Sequence, residues 1–312
     1  MTIRPKDQAR AEQLRSHFIE FEADAGPLLG VADERARNVL IAQVIESIRR
    51  IEYAHFVRDG EINVERANPN SELFDPIRAA VYWLRRGDLD EAFWLIFLQT
   101  HFGKDGNGAS GWGLVRSVYG ALGEQPWTWR RVTSDVAGFR AWLSQHENLL
   151  RSRYNFGNHR KYQSLSGSSR VGTGAVVASY VTWIGPARPH REFIRAAHLA
   201  VGQDPQEVFA YFYRSMNVMG FGRLGKFDFL TMLGKLGIAP IEPDSAYLTG
   251  ATGPLAGARL LFANDANARL SARDLDRRLK SLDQVLHVGM QVLEDSLCNW
   301  QKSPRAFIAF RG

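Results

Sequence analysis

Between Asn217 and Phe262 the chain reads NVMGFGRLGKFDFLTMLGKLGIAPIEPDSAYLTGATGPLAGARLLF, and this stretch decides the fold. Three glycines, Gly220, Gly222 and Gly225, lie close together near its start. Glycine allows positive φ and close backbone approach, so consecutive N–H groups can form a concave anion site at the start of a helix. The stretch therefore predicts a hairpin that can bind a phosphate, although a purely structural turn between two helices has the same glycines.

A helix, a turn and an acidic residue follow the glycines. Apolar residues recur at roughly helical spacing after Lys226, and Gly237 with Pro240 ends that helix. Asp244 comes 18 positions after Lys226. Arg223 and Lys226 add positive charge beside the glycines, which favours a nucleic-acid phosphate as the bound anion.

This order of parts resembles the core of the helix-hairpin-helix DNA glycosylases. The resemblance implies that Gly220, Gly222, Arg223 and Gly225 bind a DNA phosphate and that Asp244 faces the sugar of an extruded nucleotide. Lys226 resembles the catalytic lysine of the lyase-type members, but it stands one residue out of step with their hairpin. It is therefore either a nucleophile or a lysine that serves phosphate binding or structure. Asp228 and Glu242 compete with Asp244 as the catalytic carboxylate.

Composition sets broad limits on the kind of protein. The chain has 312 residues, 45% hydrophobic and 23% charged, and its net charge of +6 suits a polyanionic partner. Cys298 is the only cysteine, which excludes an intrachain disulfide and any metal site built from four cysteines. We find no signal pattern and no apolar run of about 18 residues, so we expect no membrane contact and a cytoplasmic location. We also expect no cofactor and no metal.

Apolar periodicity is helical almost throughout, which predicts an all-α fold with two helical lobes around a cleft. The segment 172–184 suits a strand or a buried helix, and we predict a helix because nothing nearby supplies a pairing strand. We expect one glycosylase-like catalytic domain over 1–312, with its hairpin core at 204–262 and a C-terminal helix at 271–300. Further helices are predicted at 10–24, after Asp33, and at 75–86, 88–101, 110–122, 134–151, 189–201 and 204–216.

Residues 151–167, RSRYNFGNHRKYQSLSG, crowd cations, rings and amides into a predicted loop. Cations neutralise phosphate and flat rings stack on unpaired bases. We therefore predict that Arg160 and Lys161 contact DNA phosphates. The predicted base pocket consists of Tyr154, Asn155, Phe156, Asn158, His159 and Tyr162. The competing interpretation is a basic surface loop whose aromatic residues fold back into the core.

Residues 100–112, THFGKDGNGASGW, form a second glycine-rich loop, between two predicted helices. Lys104 and Trp112 are candidates to line the same cleft, since a cation and a ring suit a nucleic-acid surface. A flexible connection between helices is the alternative.

Four blocks resemble the family called alpha-glutamyl/putrescinyl thymine pyrophosphorylase, clade 3, over roughly residues 33–262. They are FDPIRAAVYWLRRGDLDEAFWLIFLQTHFGKDG, YNFGNHRKYQSL, GFGRLGKFDFLTMLGKLGI and EPDSAYLTGATGPLAGARLLF. The resemblance implies a derived helix-hairpin-helix glycosylase fold associated with hypermodified phage bases. The chain is also similar to bacterial antiviral DNA glycosylases that cut α-glucosylated hydroxymethylcytosine out of phage genomes.

These resemblances imply an enzyme that flips a hypermodified base out of double-stranded phage DNA and hydrolyses its N-glycosidic bond. We expect the protein to be a monomer. Asp244 would stabilise the oxocarbenium-like sugar and orient water, whereas a nucleophilic Lys226 would form a Schiff base at C1′. One alternative is a phage-type hypermodification enzyme acting on pyrophosphorylated hydroxymethyluracil in DNA, which needs basic side chains and a metal-binding carboxylate cluster. The other is a DNA-binding module without catalysis.

Overall fold

The computed structural model describes residues 4–105 and 111–309, and the regular elements among them are helices, which confirms the all-α prediction. In chain order they are α1 (Gln8–Ala25), α2 (Glu34–Asp59), α3 (Pro76–Arg85), α4 (Leu89–Phe102), α5 (Gly113–Tyr119), α6 (Trp129–Ser134), α7 (Val136–Arg153), α8 (Thr173–Ile184), α9 (His190–Val201), α10 (Pro205–Ser215), α11 (Arg223–Lys235), α12 (Gly253–Ala263), α13 (Ala272–Leu286) and α14 (Met290–Trp300). None of the helices in these ranges is both long enough and apolar enough to span a bilayer.

The chain forms two compact units, and α2 contributes residues to both. The first unit combines Met1–Tyr53 with Pro243–Arg311, and the second is Ala54–Glu242. In the first unit the apolar stripe of α13 is buried in a core shared with α1, α2, α12 and α14. The stripe consists of Leu275, Leu279, Leu282 and Leu286, whose helical spacing predicts this packing.

The predicted C-terminal helix at 271–300 is two helices, α13 and α14. The prediction of one continuous helix is therefore wrong. His287 and Gly289 have φ of +52° and +87°, and the backbone leaves the right-handed helical region between α13 and α14. The Asp283 carboxylate accepts hydrogen bonds from the N–H groups of Val288 and Gly289, at 3.0 and 2.8 Å. Those bonds replace two that a continuous helix would make.

The second unit contains α4, whose side chains are buried on almost every face. All-round burial accounts for its long apolar run without a polar face. The structure also confirms that 172–184 is helical, since α8 occupies that segment.

Two predicted helices in the second unit have different bounds. The helix expected at 110–122 is α5, which ends at Tyr119 before Ala121 and Leu122 adopt positive φ, and its predicted first residue lies outside the described residues. The helix expected at 134–151 is α7, preceded by the unpredicted α6. Asp135 separates the two because its carboxylate accepts the N–H of Gly138 at 2.7 Å and starts a new helix.

Glu91 is a buried carboxylic acid in the first turn of α4, only 5% exposed. It accepts hydrogen bonds from the Tyr119 hydroxyl at 2.7 Å and from the Trp129 N–H at 2.8 Å. Burial raises the pKa of Glu91 to about 7, against the opposing effect of these two hydrogen bonds.

We expect the protein to lose thermal stability as the pH rises from 4.5 to about 7, because of Glu91. The folded-state pKa of Glu91 is raised from 4.5 to about 7, so the folded protein holds this proton more tightly than the unfolded chain. The stabilisation is present below the lower value and is lost as the pH rises to the upper one. In Glu91→Gln an amide can accept from the Trp129 N–H and donate to the Tyr119 hydroxyl, so thermal melts should show a smaller pH dependence. Equal pH slopes in both proteins would contradict the raised pKa.

Candidate nucleic-acid interface and catalytic carboxylate

The glycines that open the quoted stretch form a tight turn in front of α11. The Phe221 N–H donates to the Val218 carbonyl at 3.1 Å, and Gly220 has a φ of +72°, which favours glycine. Gly222 is exposed, and a Cβ placed on it would meet no atom within 4 Å in the described structure. Gly222 is the N-cap residue of α11, and a glycine has no side chain that could accept the N–H groups of the first turn. The first N–H groups of a helix have no acceptor within the helix, and the space beside Gly222 is open, so a helix start of this kind attracts anions.

The predicted loop at 151–167 lies against this turn, so the structure brings together two segments that the sequence singles out separately. The Arg160 guanidinium lies 5.3 Å from the centroid of the Phe221 ring. A Cβ on Gly225 would come within 2.9 Å of Arg160 Nη1, and a Cβ on Gly220 would come within 3.0 Å of Gln163 Oε1. Gly225 thus leaves room for the guanidinium, a role that the phosphate interpretation did not foresee.

Arg160 is buried, which alters the interpretation of it as a surface cation. Its side chain is 7% exposed, and its Nη2 lies 3.8 Å from Asp228 Oδ2. Burial lowers the pKa of Arg160, although Asp228 acts in the opposite direction. Burial also raises the pKa of Asp228, against the attraction of Arg160 and other nearby cations, while part of the Asp228 side chain remains accessible to water. Asp228, a competing candidate for the catalytic carboxylate, is therefore engaged with the arginine that supports the turn.

The glycine-rich loop after α4 joins the same assembly through its backbone. The Gly157 N–H donates to the Phe102 carbonyl at 2.8 Å. A Cβ on Gly157 would lie 2.8 Å from both the N and the O of Lys104. Lys104 Nζ lies 5.8 Å from the centroid of the Trp112 ring, and residues 106–110 lie outside the described residues.

His101 is a buried residue that packs against both the 151–167 loop and the glycine turn. Its ring centroid lies 5.7 Å from that of Phe156 and 6.3 Å from that of Phe221. His101 Nε2 lies 2.9 Å from Thr173 Oγ1, whose hydroxyl donates to the Ser164 carbonyl, so the imidazole nitrogen is the donor in the first bond. Burial, followed by the charge of Arg160, lowers the pKa of His101 to about 3. His101 is therefore a neutral structural residue in the last turn of α4, a role that the sequence beside the predicted loop did not reveal.

The predicted base-pocket residues divide into an inner and an outer group. Phe156 packs inward, 5.6 Å from the Phe102 ring, and Tyr154 is half-buried. Asn155, His159 and Tyr162 are exposed, and the exposure of Tyr162 reaches 89%. The Asn158 side chain lies outside the described part of the structure. The outer group and the exposed Lys161 are here called the exposed face. Lys161 Nζ lies 5.1 Å from the centroid of the Tyr162 ring.

The two hairpin cations rest on aromatic rings. Lys226 Nζ donates to the Tyr213 carbonyl at 3.2 Å, in the last turn of α10, and burial lowers the pKa of Lys226. A cation at a helix C-terminus stabilises the last carbonyl groups. The Arg223 guanidinium lies 4.9 Å from the centroid of the Phe227 ring.

Asp244 belongs to the first unit, in a turn that precedes α12. Its Oδ1 accepts a hydrogen bond from the Tyr247 hydroxyl at 2.6 Å. Tyr247 was not identified in the sequence as a site residue, although its spacing of three from Asp244 was visible. Glu242, the other competing carboxylate, is an exposed residue of the second unit, and its N–H donates to the Pro205 carbonyl at 3.1 Å.

Comparison with known protein families assigns the chain to one family. The family model described as alpha-glutamyl/putrescinyl thymine pyrophosphorylase clade 3 matches residues 35–312. No protein of curated function and no solved structure matches the chain. The glycine turn, the loop packed against it and the Asp244 turn all lie within the matched region, which covers most of the sequence. The chain therefore belongs to the alpha-glutamyl/putrescinyl thymine pyrophosphorylase clade 3 family.

Proposed function

We propose that the chain is a DNA N-glycosylase that excises a hypermodified base and leaves an abasic site. Glucosylated hydroxymethylcytosine of phage DNA is the proposed target, and antiviral defence the proposed role. The family is associated with enzymes that modify DNA. The observation that carries the proposal is the open start of α11 at Gly222, next to an exposed face of cations and rings.

The start of α11 is suited to a phosphate of the DNA backbone. The first N–H groups of a helix have no acceptor within the helix, and the helix dipole adds partial positive charge there. Gly222 leaves the approach open, and Arg160 supports the turn from within the protein. A backbone phosphate bound here would fix the register of the protein on DNA without reading its sequence.

The exposed face beside this turn is suited to an extruded nucleotide. Tyr162 is 89% exposed, and a ring in that state can stack on an unpaired base. Lys161 lies over the same ring and supplies charge for a neighbouring phosphate. Asn155 and His159 can form hydrogen bonds with polar edges of a modified base.

Asp244 is proposed to supply the catalytic carboxylate. Departure of the base leaves positive charge on the deoxyribose, and a carboxylate positioned beside it stabilises that charge. The same carboxylate can orient the attacking water and accept its proton. The base leaves with the electron pair of the glycosidic bond, and water then adds at C1′ to give the abasic site. The proton that this water loses to Asp244 ends on the departed base, so the products are a free base and an abasic site.

Lys226 is proposed to have a structural role. Its ammonium donates to the Tyr213 carbonyl at the end of α10, which holds Nζ in a place that a cation stabilises. We therefore expect the monofunctional route, in which water is the nucleophile.

Borohydride should accordingly fail to trap a covalent complex with DNA. A lysine nucleophile would form an imine at C1′, which borohydride reduces to a stable adduct. The measurement is denaturing electrophoresis of wild type and Lys226→Ala after reduction on modified DNA. An adduct that forms in wild type and disappears in Lys226→Ala would assign the lyase route instead.

Mass spectrometry of the released products tests the function as a whole. The purified chain is incubated with glucosylated phage DNA and with unmodified DNA of the same sequence. We expect a free modified base from the first substrate only, and an equal number of abasic sites in the DNA. Intact DNA, with the protein still bound, would favour a DNA-binding module and overturn the proposal.

A second candidate is supported by the family description, which names a pyrophosphorylase of modified thymine. Such an enzyme would exchange the pyrophosphate of a pyrophosphorylated hydroxymethyluracil in DNA for an amine. Within the described residues, no group of three or more histidine, cysteine, aspartate or glutamate side chains is arranged to hold a metal ion. Release of pyrophosphate, with the glycosidic bond intact, would identify this activity in the same experiment.

A further inference from the structure

The backbone at Tyr247 adopts an unusual conformation for an aromatic residue. Its φ is +50°, in the left-handed region that bulky side chains rarely occupy. Two of the other described non-glycine residues with positive φ, Asn264 and His287, end helices, where this conformation is common. Tyr247 lies in the turn before α12, three residues after Asp244, so its conformation needs another explanation.

The turn around Tyr247 is held from several sides. The Tyr247 N–H donates to Ser245 Oγ at 3.0 Å, and the Leu248 N–H donates to the Asp276 carboxylate of α13 at 3.1 Å. Ala246 and Leu248 are fully buried on either side of Tyr247. These contacts hold the backbone on both sides of residue 247. A strained conformation persists where its surroundings impose it, and such residues cluster at functional sites.

The result of this turn is a short hydrogen bond. The Tyr247 hydroxyl donates to Asp244 Oδ1 at 2.6 Å, and within the described residues no hydrogen bond involves Oδ2. A carboxylate on a turn can rotate about its side-chain bonds. A hydrogen bond to Oδ1 restricts that rotation and therefore also fixes the direction in which Oδ2 points.

We propose that Tyr247 is a positioning residue that orients the Asp244 carboxylate toward the sugar of the extruded nucleotide. This inference rests on the proposed glycosylase function. The strained backbone brings the Tyr247 hydroxyl within hydrogen-bonding distance of Asp244. The hydrogen bond then fixes the orientation of the negatively charged carboxylate. Electrostatic stabilisation of a transition state depends on such fixed geometry.

The inference can be tested by binding, without turnover. The probes are two DNA duplexes with one abasic analogue each, a cationic pyrrolidine that imitates the oxocarbenium sugar and a neutral tetrahydrofuran of the same shape. A well-oriented carboxylate should make wild type prefer the pyrrolidine by about tenfold or more, since transition-state analogues bind tightly. Tyr247→Phe keeps the ring and removes the hydroxyl, so it should reduce this preference to about threefold or less while leaving tetrahydrofuran affinity unchanged.

Two controls separate orientation from stability. Tyr53→Phe removes a hydroxyl from a residue that is 57% exposed in the same unit, and it should keep the full preference. Adding Tyr247→Phe to Asp244→Asn should cause no further loss, because a residue that acts through Asp244 has no effect once the charge is gone.

The outcomes distinguish the two proposals. A wild-type preference that survives in Tyr247→Phe overturns the positioning role and leaves the glycosylase proposal intact. A wild type without any preference overturns both. Equal weakening on both duplexes in Tyr247→Phe, with the preference kept, would show a merely structural tyrosine.

Discussion

Replacing Asp244 with asparagine should lower the single-turnover rate of base release by on the order of a hundredfold or more. Asparagine is nearly isosteric but uncharged, so the cationic sugar loses its counter-charge. It can still accept the hydrogen bond from the Tyr247 hydroxyl, so the turn should remain folded. The measurement is release of modified base under single-turnover conditions, together with the affinity for the same duplex, which we expect to change little.

The two competing carboxylates supply matched controls. Glu242→Gln changes an exposed residue and should leave the rate near that of wild type. Asp228→Asn removes the charge that faces Arg160, so it should weaken DNA binding through the glycine turn more than it slows the chemical step. A near-normal rate in Asp244→Asn would reject that residue, and a large loss in one control would identify its replacement.

Replacing Arg160 with alanine should destabilise the protein by about 2–4 kcal/mol. The side chain is 7% exposed and lies between the glycine turn and Asp228, so truncation leaves a cavity and removes the packing of the guanidinium beside Gly225 and Phe221. DNA binding should weaken because the Gly222 turn loses its support. Denaturant unfolding measures the stability, and filter binding at two salt concentrations measures the affinity.

Lys161→Ala is the matched control for this prediction, since it removes a neighbouring charge that is exposed. Its stability should remain within about 0.5 kcal/mol of wild type. The salt dependence of its DNA binding should fall by about one charge, as expected for a lost phosphate contact. If Arg160→Ala instead unfolds like wild type and loses one charge of salt dependence, Arg160 is a surface contact after all.

Local patterns in the sequence predicted most of the helices. The caps Asp75, Asp88 and Asp204 begin α3, α4 and α10, and each accepts N–H groups of its own first turn. Such signals need only neighbouring residues. The break at His287 was missed because the leucine stripe continues across it, and the Asp283 carboxylate that stabilises it has many other possible roles in a helix.

The sequence predicted only those parts of the candidate site that depend on neighbouring residues. The glycine turn and the Asp244 turn are continuous stretches, so their residue types were informative. The burial of Arg160 depends on Gly225, far away along the chain, and no pattern near Arg160 indicates it. The positive φ of Tyr247 opposes the local preference of a bulky residue, and the next residue is held by Asp276, which is far away along the chain.

The close contact between Gly103 and Gly157 allows the exposed face to change its side chains during evolution. The two loops touch through main-chain atoms, and a Cβ on Gly103 would come within 3.0 Å of the Gly157 Cα. The scaffold beneath the exposed face is thus independent of the side chains that the face presents. Substitutions at Asn155, His159 and Tyr162 can change which modified base is recognised without rebuilding the support. In a library selected for new base preference, we expect varied residues at those three positions and invariant glycine at 103 and 157.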